Sequence, residues 1–148
     1  MIKSIIFDYN ETLYITKQRC IPKKTIKLLE KLRKDGFLLA LISINDPERK
    51  KILEKYDILH LFFIIKFVNE KNAKIFRETL RNLNSAPNET IVVGDRIKSE
   101  ITIANNLGIR TVWFKNGKFS KELPILKNEF PDYRIENLSK LIDILKGG

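Results

Sequence analysis

The chain has 148 residues, of which 43% are hydrophobic and 31% charged, and it carries a formal net charge of +10. That length suits one domain with a sizeable core, and the composition is that of an ordinary globular protein. A single cysteine, Cys20, and a single histidine, His60, exclude an internal disulfide framework and a Cys/His zinc cluster.

The longest apolar run, Ile58 to Val68, is broken by His60 and Lys66 and falls short of the roughly twenty residues that a membrane span needs. The N-terminus, MIKSIIFD, meets an acid at position 8, too early for a signal-peptide apolar stretch, so a cytoplasmic location and no membrane partner are expected. The positive charge is compatible with nucleic acid, anionic substrates or a lysine-rich surface, and does not choose among them.

In chain order, Ile2 to Phe7 reads as a strand ending at Asp8. Thr12 to Ile21 is irregular and β-prone, suiting a small hairpin. A helix begins near Pro22, with Ile26, Leu29 and Leu32 at helical spacing, and Gly36 stops it. Phe37 to Ile42 is a continuous apolar strand, as burial on both faces requires. Asp46-Pro47 opens a second helix, the Asp as cap and the Pro in the first turn.

Leu61 to Phe67 gives a third strand and Lys71 to Leu83 a third helix with Ile75, Phe76, Thr79, Leu80 and Leu83 inward. Thr90 to Val93 is a fourth strand, Lys98 to Leu107 a fourth helix closed by Gly108, Arg110 to Phe114 a fifth strand, and Asn137 to Leu145 a terminal helix. This alternation predicts one doubly wound, Rossmann-like α/β domain over residues 1–148, with a five-stranded parallel sheet between helices.

In such sheets ligands bind beyond the carboxyl ends of the strands. Those positions hold Asp8-Tyr9-Asn10-Glu11-Thr12, then Ser43-Ile44-Asn45-Asp46, then Lys71, then Gly94-Asp95-Arg96-Ile97-Lys98-Ser99-Glu100. These groups suit a phosphate and metal site. His60, inside an apolar run, reads as a strand or packing residue, and Trp113 and the phenylalanines as core. Lys23-Lys24-Lys27 and Arg49-Lys50-Lys51 read as solvated helix faces, and Arg96 and Lys98 as surface charge. No aromatic-basic pattern of the RNA-binding modules occurs, so nucleic acid is a disfavoured partner.

At these residues the chain resembles the haloacid-dehalogenase-like (HAD) hydrolase superfamily over nearly its whole length. FDYNETL is similar to that family's D-x-D-x-T-L, LLALISIN to its strand ending in Ser or Thr, EKNAKIFRETL to its helix-opening lysine, and VVGDRIKSEI to its acidic pair. The resemblance implies a Mg2+-dependent phosphohydrolase with Asp8 as nucleophile. It implies metal ligands from Asp8, the Asn10 main chain and Asp95, with Glu100 nearby, and Ser43, Asn45 and Lys71 on the substrate phosphate. Lys74 and Lys66 are alternatives for the lysine.

One departure stands out: family phosphatases carry a second Asp where this chain has Asn10. That Asp protonates the leaving group and then activates water, which Asn cannot do. The resemblance therefore leaves three outcomes open: turnover that is slow or limited to good leaving groups, another acid such as Glu11, or a weakly active phosphate-binding module acting on nucleic acid or protein. A dehalogenase-like hydrolase is a weaker alternative. The stretches Leu13 to Pro22 and Ile58 to Lys71, where family caps insert, leave room only for a flap, so a capless member is expected. By resemblance, open sites often serve large substrates or are covered by a neighbouring subunit of a homo-oligomer; the expected partner is a phosphorylated substrate, small molecule or macromolecule.

Overall fold

Six short segments rich in β-branched and aromatic residues form one parallel sheet in a computed structural model that describes residues 1–147. They are β1 (Ser4–Phe7), β2 (Leu38–Ile44), β3 (Ile64–Val68), β4 (Thr90–Gly94), β5 (Arg110–Phe114) and β6 (Tyr133–Ile135), in the order β3-β2-β1-β4-β5-β6. β1 lies between β2 and β4, with Ser4 opposite both Leu38 and Thr90. Five strands were expected from the sequence; the sixth, β6, adds to the edge by pairing Val112 with Tyr133 and Phe114 with Ile135. It has three residues, and only Ile135 is buried.

The helices are α1 (Lys23–Lys34), α2 (Pro47–Lys55), α3 (Ala73–Leu83), α4 (Thr102–Asn106) and α5 (Lys140–Gly147). Alternate strand residues feed two cores, one on each face of the sheet. Ile5, Phe7, Leu39, Leu41, Ile91 and Val93 pack with Leu29 and Leu32 of α1, Leu53 of α2 and Leu141 of α5. Ile6, Ala40, Ile42 and Val92 pack with Phe76, Leu80 and Leu83 of α3 and Ala104 of α4. Full burial of each such aliphatic side chain contributes about 1.5–3 kcal/mol. The continuous apolar runs of β1, β2 and β4 follow directly from burial on both faces.

Local chemistry sets the helix ends. Asp46 caps α2 by accepting the Glu48 N–H (3.0 Å), and Asn72 caps α3 by accepting the Ile75 N–H (3.0 Å). α1 gives way at Gly36, whose φ of 96° lies in the left-handed region. Among the described residues no helix is long and apolar enough to cross a membrane.

The expected helix over Lys98 to Leu107 is not continuous. Ile97–Ile101 forms a widened turn, with Lys98 (ψ 15°) and Ser99 (φ −130°, ψ −107°) off helical values, before α4 starts. The N–H groups ahead of and within this turn, those of Arg96, Ile97 and Lys98, are satisfied by the side chains of Glu100 and of Glu122, which comes from a distant loop.

His60 sits in the turn Leu59–Leu61 ahead of β3, 65% exposed beside Asp57 (3.8 Å), and not in a strand or the core. Phe63 and Phe130 are also exposed, so the phenylalanines are not uniformly core. Between β1 and α1, a bridge of Ile15 with Cys20 and a turn at Thr16–Gln18 make a small flap. Between α2 and β3 lies only that His60 turn.

Candidate active site

β1 and β4 run side by side, and the sheet reverses its winding between them, which is where an open α/β sheet leaves a crevice at its carboxyl edge. The Asp8 N–H extends the ladder by donating to Val93 O (3.0 Å), which fixes Asp8 at that edge. Asp95 follows β4, and its carbonyl is held by the indole Nε1–H of buried Trp113 on β5 (2.8 Å). Glu100 turns back from the widened turn to accept the Arg96 N–H (2.7 Å). Lys71, just before α3, donates to Asp8 Oδ1 (2.5 Å) and Glu100 Oε1 (3.1 Å).

Gly94 makes this fold-back possible. A Cβ there would fall inside Cγ, Cδ and Oε2 of Glu100. The carboxylates of Asp8, Asp95 and Glu100 are all buried, and each offers an oxygen within 4.8 Å of the others. They form the floor of a cleft of about 410 Å3. A larger groove of about 590 Å3 runs along β6 and α5, away from these acids; chemistry and not size locates the site.

Lys71 pairs with Asp8 and Glu100 but not with Asp95, so the lysine leaves one of the three buried acids without an ion-pair partner. Burial first, then the hydrogen bond and charge of Asp8, push the Asp95 carboxyl up to about 10. Burial and then the Asp8 charge raise Glu100, although Lys71 and the Arg96 N–H pull it down. Burial works against the Lys71 ammonium, but Glu100 and Asp8 outweigh it and leave its pKa above the ordinary value. Oxygen-only donors with surplus negative charge suit a hard divalent cation.

On the β2 side the arrangement departs from the expectation. Ser43 is fully buried; its hydroxyl donates to Ile44 O (3.1 Å) and accepts from the Arg49 guanidinium (2.8 Å). Arg49 and Ile44 line the cleft, and Ser43 does not. Arg49 also lies 5.1 Å from the ring centroid of Tyr9. Tyr9 is buried and stacked on Tyr14, and burial raises its hydroxyl well above the ordinary value. The Arg49-Lys50-Lys51 run is therefore not wholly a solvated face. Asn45 is exposed, gives its N–H to Val68 O (2.8 Å), and does not line the cleft.

Asn10 lines the cleft, with its Oδ1 accepting from Thr16 Oγ1 of the flap (3.3 Å). Glu11 does not. Its backbone is left-handed (φ 60°), and its carboxylate is turned away to accept the Thr16 N–H (2.7 Å) and pack under Gly117. Lys74 is exposed and Lys66 pairs with Glu78 (3.7 Å), so of the three lysines only Lys71 reaches Asp8.

On the β4 side Arg96, Lys98, Lys118 and Phe119 line the same cleft. Sequence reasoning assigned Arg96 and Lys98 to surface charge and did not single out Lys118 or Phe119. The one usable signal for Arg49 was its place in the first turn of a helix that leaves a site-bearing strand, since such a turn faces the crevice.

The HAD-hydrolase-like family model matches residues 69–141. The chain is similar to a glyceraldehyde 3-phosphate phosphatase of Pyrococcus furiosus, 37% identical over 126 residues covering 81% of this chain and 52% of that protein. It is also similar to the crystal structure of a HAD phosphatase from Thermococcus onnurineus, with TM-score 0.70, 28% identity, and coverage of 86% of this chain and 59% of that one. An uncharacterized protein from Listeria monocytogenes serotype 4b shares the fold, with TM-score 0.80, 24% identity, and coverage of 98% and 97%. The chain spans about half the length of the glyceraldehyde 3-phosphate phosphatases it matches. With the acid-lysine cluster at the switch point of a parallel sheet and these likenesses together, the chain belongs to the haloacid-dehalogenase-like hydrolase superfamily.

Proposed function

We propose that the chain is a Mg2+-dependent phosphohydrolase that works through an aspartyl-phosphate on Asp8 and favours substrates with good leaving groups. The observation that carries this reading is the Asp8–Lys71 contact at 2.5 Å beside two further buried carboxylates. The phosphatase relatives support it.

Asp8 and Asp95 would hold the cation, together with the Asn10 main chain by family resemblance. Both Glu100 oxygens are already committed, to Lys71 and to the Arg96 N–H, so Glu100 stands behind the ligands. When bound, such a cation offsets the repulsion between a carboxylate and a phosphoryl dianion and polarises a phosphoryl oxygen.

An Asp8 oxygen attacks phosphorus, the bond to the leaving oxygen breaks, and the leaving group departs with that electron pair. Water then attacks the phosphoryl group, the bond to Asp8 breaks, the water proton passes to the released phosphate or solvent, and the carboxylate is restored. Lys71 orients Asp8 and places positive charge beside the transferring group. Arg49, and not Ser43, presents donors on the β2 wall, with Ser43 positioning its guanidinium.

Asn10 can donate a hydrogen bond to the leaving oxygen but cannot transfer a proton. Glu11 is committed to the flap and to Gly117, so it does not replace the missing acid. Acyl phosphates and phenolic esters, which leave without protonation, are therefore preferred. The test is Mg2+-dependent phosphate release from acetyl phosphate, p-nitrophenyl phosphate and alkyl phosphates, with wild type, Asp8→Asn and Asn10→Asp in parallel. Asp8→Asn should be inert. Asn10→Asp should accelerate alkyl esters by up to the ~10²–10⁴-fold typical of general acid-base catalysis and acyl phosphates much less. No turnover by wild type or Asn10→Asp on any substrate would sink the hydrolase reading.

A further inference from the structure

The wall of the cleft on the β4 side is built in a way that the transfer chemistry does not require. Arg96 lies 4.5 Å and Lys118 5.2 Å from the ring centroid of Phe119, so two cations gather on one aromatic ring at the rim. Like charges brought together repel, and a carboxylate between them would be the ordinary remedy. Among the described residues neither cation has an ion-pair partner. The acids in reach are used on the backbone. Glu122 accepts the N–H groups of Ile97 (2.9 Å) and Lys98 (3.3 Å), and Glu11 accepts that of Thr16. Of the acids that line the cleft, Asp8, Asp95 and Glu100 form its floor, and Glu70 follows β3 on the opposite side of β1.

The segment that carries Lys118 and Phe119 is held at both ends. Gly117 has φ 72°, and a Cβ there would collide with the Glu11 carboxylate, so the turn seats directly on Glu11. Asn116 Nδ2 donates to Glu11 O (3.2 Å), and Glu122 ties the far end to the loop after β4. The positive wall is thus set in place before any ligand arrives, which lowers the ordering cost of binding an anion there.

The floor needs none of this charge. Three carboxylates are matched by Lys71 and one divalent cation, and Arg49 on the other wall is available to the phosphoryl group. We propose that Arg96 and Lys118 read a second anionic group on the substrate, a carboxylate or a further phosphoryl group carried beside the one that is transferred. This rests on the phosphohydrolase reading above for the placement of the first phosphate. It makes the preferred substrate a compact molecule with two anionic groups, such as a phosphorylated acid or a bisphosphate, in contrast to a phosphate ester of a neutral alcohol or aldehyde.

The test uses two matched pairs: glycerol 3-phosphate against 3-phosphoglycerate, and fructose 6-phosphate against fructose 1,6-bisphosphate. Their affinities are measured by calorimetry for the Asp8→Asn protein in Mg2+, with and without Arg96→Gln and Lys118→Gln together. Exposed ion pairs contribute at most about fivefold in affinity each and commonly about threefold, so with two of them the doubly anionic member should bind roughly tenfold tighter. That ratio should shrink as salt rises and collapse in the double substitution. A carboxylate preference alone or a bisphosphate preference alone identifies the second group. Equal affinity within both pairs, a ratio that survives the double substitution, or no binding of any of the four overturns the proposal. Turnover by the unsubstituted protein is scored separately, on acetyl phosphate and p-nitrophenyl phosphate: preference without that turnover refutes hydrolysis and keeps the anion-reading wall, and turnover without preference does the reverse.

Discussion

Replacing Gly94 by alanine should damage the protein through one side chain, that of Glu100. Gly94 has an ordinary strand conformation, so alanine is not forbidden by its backbone. The added methyl would instead overlap Cγ, Cδ and Oε2 of Glu100. Backbone movement is blocked because Gly94 pairs with Trp113 across the ladder and the next carbonyl, of Asp95, is held by the Trp113 indole. Glu100, with its side chain 3% exposed, must then abandon Lys71 and the Arg96 N–H. Hydrogen bonds to charged groups contribute about 1.5–3 kcal/mol each. Removing a like charge from beside Asp8 returns part of that, which leaves a net loss of about 2–4 kcal/mol. For a chain of this size that corresponds to a fall in Tm of roughly 5–15 °C.

The control is Glu100→Ala, which deletes all three colliding atoms. In that background Gly94→Ala should cost under about 0.5 kcal/mol, or stabilise slightly by restricting the unfolded chain. Urea unfolding in EDTA, followed by the fluorescence of the single tryptophan, gives the four free energies of the cycle. A coupling of about 2–4 kcal/mol is expected. Additivity within about 0.5 kcal/mol would refute the reasoning, because Gly94 would then be needed for something other than the Glu100 fold-back.

Two further outcomes follow from the same geometry. Burial and Asp8 push the Asp95 carboxyl up from 3.8 to about 10, so in EDTA the folded protein should hold a proton there that the unfolded chain releases. Stability should therefore fall as pH rises through that window, by at most about 1.4 kcal/mol per unit. Asp95→Asn should flatten this slope in thermal unfolding at pH 6, 7 and 8; an unchanged slope would contradict the assignment. Arg49→Ala should weaken inhibition by inorganic phosphate by roughly tenfold or more, the loss of a charged hydrogen bond. No change would remove Arg49 from the phosphate site.

Much of the fold and floor was legible because strand alternation and strand-end chemistry are local signals. Asp8, Lys71, Asp95 and Glu100 each sit at the end of a strand or the start of a helix, and parallel topology gathers those ends. What escaped depends on tertiary geometry. β6 is three residues long and half polar, below what periodicity can detect. The widened turn at Ile97–Ile101 is anchored by Glu122, 25 residues away from Ile97, which satisfies its first N–H groups, and a contact of that range leaves no local signal. Arg49 looked like its neighbours Lys50 and Lys51, and only the seating of α2 against β2 turns it toward Ser43 and Tyr9. Phe119 gave no sign of gathering cations, because Arg96 lies on a separate loop.

The contacts that close the cleft join distant parts of the chain. Lys71 to Asp8 spans 63 residues, and Asn116 to Glu11 spans 105. Closing such loops costs entropy before any contact rewards it, and contacts of this range slow folding. The cleft is therefore a late product of folding. A chain emerging from synthesis carries Asp8 from the start, but the cleft around it is complete only after β4, β5 and the turn at Gly117 have joined β1. Until then Asp8 is an aspartate without its lysine and acidic neighbours.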